Sequence, residues 1–61
     1  MRTVIHKQSV TNETIDKICD RYVACGWIEI DLDGFQNNVQ SVTFQWTGDG
    51  IPTYPNINDL L

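Results

Sequence analysis

Cations are scarce in this chain. Four Lys and Arg stand against eight Asp and Glu in 61 residues, for a formal net charge of −4. The four, Arg2, Lys7, Lys17 and Arg21, form no cluster along the sequence, whereas binding to a phosphate backbone needs a basic patch. Long apolar runs are also missing. No stretch approaches the roughly 18 to 20 residues that cross a bilayer, and residues 1–15 lack the apolar centre of a secretion signal. The expectation is a soluble, cytoplasmic protein with no membrane partner and no direct contact with nucleic acid. Proline is absent before Pro52, so nothing of that kind interrupts regular structure over most of the chain.

Cysteine and histidine are equally sparse. If Cys19 and Cys25 share a helix, their six-residue spacing holds them about 9 Å apart along its axis, beyond the roughly 7 Å between Cα atoms that a disulfide spans. Both are expected as free thiols, and the spacing is neither a zinc nor a redox pattern. His6 is the only histidine, expected on the outer side of the first strand as a surface or hydrogen-bonded residue. No nucleophile–base pair and no ligand set can be assembled, so no catalytic site, metal or cofactor is expected. Were there chemistry, Asp31 or Asp33 with His6 would be the group to test. "TGDG", Thr47 to Gly50, lacks the lysine and following helix of a phosphate loop and reads as a turn.

What is present is periodicity. "RTVIHKQ" carries Val4 and Ile5 with Thr3 and predicts a strand. Ile15, Ile18, Cys19, Tyr22 and Val23 then recur at helical spacing, while Glu13, Asp16, Lys17, Asp20 and Arg21 fall elsewhere, which predicts an amphipathic helix. Thr11 or Asn12 is placed to cap its start and Gly26 to end it. Beyond Gly26 the period becomes two. Ile28, Ile30 and Leu32 alternate with Trp27, Glu29, Asp31 and Asp33, and Val42, Phe44 and Trp46 alternate with Ser41, Thr43, Gln45 and Thr47. Facing Ile30 with Phe44 puts Ile28 opposite Trp46 and Leu32 opposite Val42, with Gln36, Asn37 and Asn38 as the turn. "IPTYPNINDLL" holds two prolines and reads as an extended tail, with room for a last helical turn.

The sequence thus predicts an α+β fold: a single small β-α-β-β domain over residues 1–48, with one helix on a three-stranded, mainly antiparallel sheet, and an extended C-terminal tail over 49–61. In this reading Ile28, Ile30 and Leu32 face the helix, and Trp27 and the acids face solvent.

The acidic strand admits three readings. Laid over residues 29–40, a calcium loop would use Glu29, Asp31, Asp33, Gly34, Phe35, Asn37 and Gln40, but position 12 is a neutral Gln and the flanks alternate as strands. Carboxylates at i, i+2 and i+4 would instead form a row of charge with a step near 7 Å, beside Trp27 as an aromatic anchor, able to dock on a basic groove of a partner protein or, in the sharpest version, to mimic DNA. The third reading is a solvated sheet face that serves solubility and discourages edge pairing.

A noncatalytic accessory protein is therefore expected, of a kind common among small bacterial and bacteriophage proteins, which binds a protein partner of unstated identity. Its contact residues are expected to be Trp27, Glu29, Asp31 and Asp33 on the sheet and Tyr54, Leu60 and Leu61 in the tail. The alternative is a self-associating homodimer, because three strands leave two free edges and a half-covered sheet.

Overall fold

The computed structural model describes residues 3–35 and 38–61. It contains β1 (Ile5–Ser9), α1 (Ile15–Cys25), β2 (Trp27–Phe35), β3 (Asn38–Trp46) and a short 3-10 turn, Asn58–Leu60. One helix packs on a three-stranded antiparallel sheet of order β1-β3-β2, the α+β arrangement that the sequence predicts. Of the turn expected over Gln36, Asn37 and Asn38, the first two lie outside the described residues, and Asn38 belongs instead to β3, paired with Phe35.

The helix begins later than its sequence suggests: its N-cap is Thr14, not Thr11 or Asn12, and no side chain caps the first turn. Thr11 and Thr14 bond to each other just ahead of it, the Thr14 amide donating to Thr11 Oγ1 at 3.2 Å and the Thr11 amide to Thr14 Oγ1 at 3.1 Å. The Ile15 amide reaches back to the Thr11 carbonyl at 2.9 Å, so this turn leads the chain into the helix. At the other end Gly26 adopts φ 112°, and its N–H reaches the carbonyls of Tyr22 and Val23. A side chain there would be strained by the left-handed backbone, and its Cβ would stand 3.0 Å from the Trp46 ring. Glycine therefore both ends the helix and lets the indole close against the turn.

The core is Val10, Ile18, Tyr22, Trp27, Val42, Phe44 and Ile57, with Val4, Ile15, Cys19, Cys25, Trp46 and Leu60 packed around it. Ile57 makes the C-terminal segment part of this body. The segment runs along the helix side of the sheet. The Trp27 indole N–H donates to the Thr53 carbonyl at 2.7 Å, and Tyr54 meets the His6 ring with centroids 5.2 Å apart. Farther on, Arg21 donates to the Asn56 carbonyl at 2.9 Å and to Asp59 at 2.8 Å. Helix and tail together form the second layer.

Register explains the largest departure from the sequence reading. β3 pairs with β1 without interruption, Ile5↔Gln45 through Ser9↔Ser41. With β2 it pairs Trp27↔Trp46, Ile28↔Gln45 and Glu29↔Phe44, then skips Ile30 and resumes at Asp31↔Thr43 and Leu32↔Val42. The bulge reverses the phase of the strand. Leu32 does oppose Val42, but Ile30 does not face Phe44 and Ile28 does not face Trp46. Trp27, expected on the open face, is 1% exposed inside the core, while Ile28 and Ile30 are each 46% exposed and Leu32 49%. Val23 is also left in solvent, outside the helix's buried stripe.

Candidate functional site

Directly opposed residues of an antiparallel pair share a face, so the register sorts the acids. Glu29, opposite the fully buried Phe44, lies on the helix side, where its Oε1 accepts the Cys19 thiol at 3.4 Å. Asp31 and Asp33, opposite Thr43 and Ser41, lie on the open face. The expected row of three carboxylates on one side of the strand is therefore broken. Asp33 is further committed to Lys7, which reaches it across β3 at 2.9 Å and lowers its pKa through that hydrogen bond and charge. Asp31 Oδ1 accepts the amide of Leu32. A calcium loop over the same residues is excluded among those described, since Glu29 and Asp31 point to opposite sides of a strand.

The other expected contact residues are also redistributed. Trp27 is no exposed anchor, because its ring is enclosed by Trp46 at 5.3 Å, Tyr22 at 5.9 Å and Tyr54 at 5.2 Å between centroids. Tyr54 is 56% exposed but lies over Trp27 and His6. Leu60 packs against the core, and Leu61 is exposed.

His6 is not on the outer side. Its pairing with Phe44 turns it toward the helix, where it stacks on Tyr22 at 5.7 Å and lies 3.4 Å from Gln8 Oε1, the atom that also accepts the Tyr22 hydroxyl at 2.8 Å. The sheet stands between it and Asp31 and Asp33, so the three do not form an acid–base group.

Both thiols are free. Burial, the Glu29 carboxylate and the nearby charges of Asp16 and Asp20 push the Cys19 thiol up to about 11, which leaves little thiolate at neutral pH and makes it a poor nucleophile. A cleft of ≈ 520 Å³ opens beside Trp46, between Thr3, Val4 and Gln45 and the Thr47–Gly50 loop. Asp49 is its one titratable lining group, and a single carboxylate makes no acid–base pair there.

The feature that sequence reasoning missed is the exposed apolar content of β2. Ile28 lies on the open face beside Gln45, Leu32 on the helix side, and Ile30 at the bulge between them. The alternation of these three was visible, but a bulge carries no sequence signal as strong as alternation and was not separable from it. The strand is also an edge of the sheet, bonded only to β3 among the described residues. No described helix is long and apolar enough to cross a membrane. Compared with known protein families, curated proteins and solved structures, the chain matches none.

Proposed function

We propose that this is a noncatalytic binding protein that acts by occupying another protein's surface through β2, with Ile28, Ile30 and Leu32 as its contact residues. The observation that carries the reading is that an edge strand holds three large aliphatic side chains about half in water, in a chain whose buried core is complete without them. Ile28 and Leu32 lie on opposite faces of the strand with Ile30 at the bulge between them, so what they offer is an exposed, apolar sheet edge to which an extended segment of a partner can pair. The poorly nucleophilic Cys19 and the half-buried His6, stacked on Tyr22 with the sheet between it and Asp31 and Asp33, support the absence of catalysis, and the free thiols support a reducing compartment such as the cytoplasm.

The test is a variant that removes the aliphatic surface and keeps β propensity: Ile28→Thr with Ile30→Thr and Leu32→Thr. A protein retained from a cell extract by the wild type is to be purified and its affinity measured against both forms. At least a tenfold loss in the variant, with its melting transition preserved, is the expected result; equal binding removes β2 from the interface. Sedimentation over a range of concentrations addresses the second reading, which the two free strand edges favour. Self-association of the wild type that the same variant abolishes would make the partner another copy of the chain.

A further inference from the structure

The charges of α1 are divided between its two flanks. Arg21 and Lys17 both act on Asp59 of the tail, Arg21 through direct contact and Lys17 through its charge. The acids lie on the other flank. Asp16, Cys19, Asp20 and Val23 are spaced at i, i+3, i+4 and i+7, which sets them along one side of a helix. The Cys19 thiol bonded to Glu29 fixes that side as the one next to β2. The helical spacing puts Asp16 and Asp20 on the same side as Cys19, the side that meets Glu29, and their charges add to that of Glu29 in raising the thiol's pKa.

This acidic band has apolar ends. Val23, four residues beyond Cys19, is 56% exposed, and Leu32, on the same side of the sheet as Glu29, is 49% exposed. The cations described elsewhere are engaged away from it, Lys7 with Asp33 on the open face and Arg21 with the tail.

We infer that this flank, Asp16, Asp20 and Glu29 between Val23 and Leu32, docks a basic amphipathic helix of a partner protein. Asp16 and Asp20, one helical turn apart, match lysines or arginines at i and i+4 of such a helix, while its aliphatic side chains cover Val23 and Leu32. The inference rests on the protein-binding reading above and adds the chemistry of the partner. Complementary charge supplies rate and orientation, and the two aliphatic contacts supply the desolvated part of the interface.

The probe is a synthetic 14-residue amphipathic helix of lysine and leucine, with a glutamate and leucine peptide as its counterpart. Two variants remove the same number of charges: Asp16→Asn, Asp20→Asn, Glu29→Gln on the flank, and Glu13→Gln, Asp31→Asn, Asp49→Asn elsewhere. The lysine peptide is expected to bind saturably, to shift the amide resonances of Asp16, Asp20, Val23 and Glu29, and to lose at least tenfold in affinity with the flank variant. The distributed variant should lose less than threefold, and the glutamate peptide should not bind. Equal losses in the two variants would mean attraction by net charge alone and overturn the inference, as would binding of the glutamate peptide. Shifts confined to Ile28 and Ile30 would overturn the flank while leaving the β2 reading intact. Should the flank variant lose its dispersed amide spectrum, Val23→Ser decides in its place: a threefold or greater loss supports the docking site and an unchanged affinity refutes it.

Discussion

Helix and tail cover adjacent parts of one sheet face by different physical means. The helix satisfies its backbone internally and contributes a periodic stripe, with Ile18 and Tyr22 fully inside. The tail has no ladder of its own and is held at separate points: the Thr53 carbonyl on the Trp27 indole, the buried Ile57, and the Asn56 carbonyl and Asp59 on Arg21. A periodic element spreads its attachment over every turn, so losing one contact leaves the rest in register. A segment held at points depends on each of them, and its polar attachments, Thr53 to Trp27 and Asn56 and Asp59 to Arg21, involve exposed or half-exposed groups. The tail should therefore be the first part of the second layer to open.

The strongest way to break this arrangement is to remove the residue that both parts share. Trp27 packs under Tyr22 of the helix and Tyr54 of the tail and donates to Thr53. Trp27→Ala removes a fully buried indole, at a cost of about 3–5 kcal/mol. A 61-residue chain has roughly 3–9 kcal/mol of total stability at ordinary values per residue. The variant is expected to be largely unfolded at 37 °C, as circular dichroism would record, and a cooperative transition near the wild-type temperature would show that Trp27 is not the joint.

The comparison sharpens with a matched pair. Ile18→Ala in the helix and Ile57→Ala in the tail delete the same atoms from sites that are 0% and 8% exposed. Truncations of this kind cost about 2–5 kcal/mol, and Ile18 should fall in the upper half of that range and Ile57 at its foot, because the tail can settle into the space. The two should also differ in kind when followed by urea denaturation. Ile18→Ala should shift the whole transition, whereas Ile57→Ala should release Tyr54 and Thr53 from Trp27 before the sheet melts, giving a fluorescence change that precedes the loss of ellipticity. Coincident transitions in Ile57→Ala would mean that tail and helix are one cooperative unit.

The same contrast governs what could be read from the sequence. The helix, its end at Gly26, the three strands and the opposition of Leu32 to Val42 follow from local periodicity and turn chemistry, which act within a few residues. The side taken by Trp27 does not. It depends on one skipped residue, Ile30, and an alternating run such as Trp27–Asp33 reads the same with or without a bulge until its partner strand is in place. Aliphatic residues in phase with Leu32 were extrapolated back through that point, which turned Ile28 inward and Trp27 outward. Two of the proposed acidic contacts, Asp31 and Asp33, keep the open face, while Glu29 is carried to the helix side by the same reversal. The tail was legible as extended but not as docked, because Ile57 sits between asparagines with no period to reveal a buried face, and its contacts with Arg21 and Trp27 span 26 to 38 residues of chain.

A smaller effect is expected at the junction where the helix hands over to β2. Gly26→Ala forces a left-handed backbone on an L residue and brings its Cβ to 3.0 Å from Trp46. The backbone part costs about 1–2 kcal/mol, and the indole must also move. The melting temperature should fall by several degrees and the Trp46 environment should change, while Gly50→Ala, with open space around its Cβ, should leave both nearly as they were. Equal effects of the two would remove the contact from the account of why the helix ends where it does.

The smallest effect isolates the tail's polar anchor. The guanidinium of Arg21 lowers the Asp59 pKa from an ordinary 3.8, chiefly through their hydrogen bond. A carboxyl group lowered in the folded state contributes stability that is present above its unfolded pKa and is lost as pH falls through its folded one. The tail contact should therefore be constant from neutral pH down to about 3.8 and weaken below it. Because both groups are at the surface, the change is confined to the tail and fades in high salt. The Ile57 methyl resonances of the wild type should shift toward solvent-exposed values in this acid range, and those of Asp59→Asn should already be displaced at pH 7 and respond less to acid. Asp33 on the open face is likewise held low by its hydrogen bond to Lys7 of β1, so β1 resonances give the internal control. If Ile57 and β1 respond together and Asp59→Asn changes neither, the tail is held by its apolar contact alone.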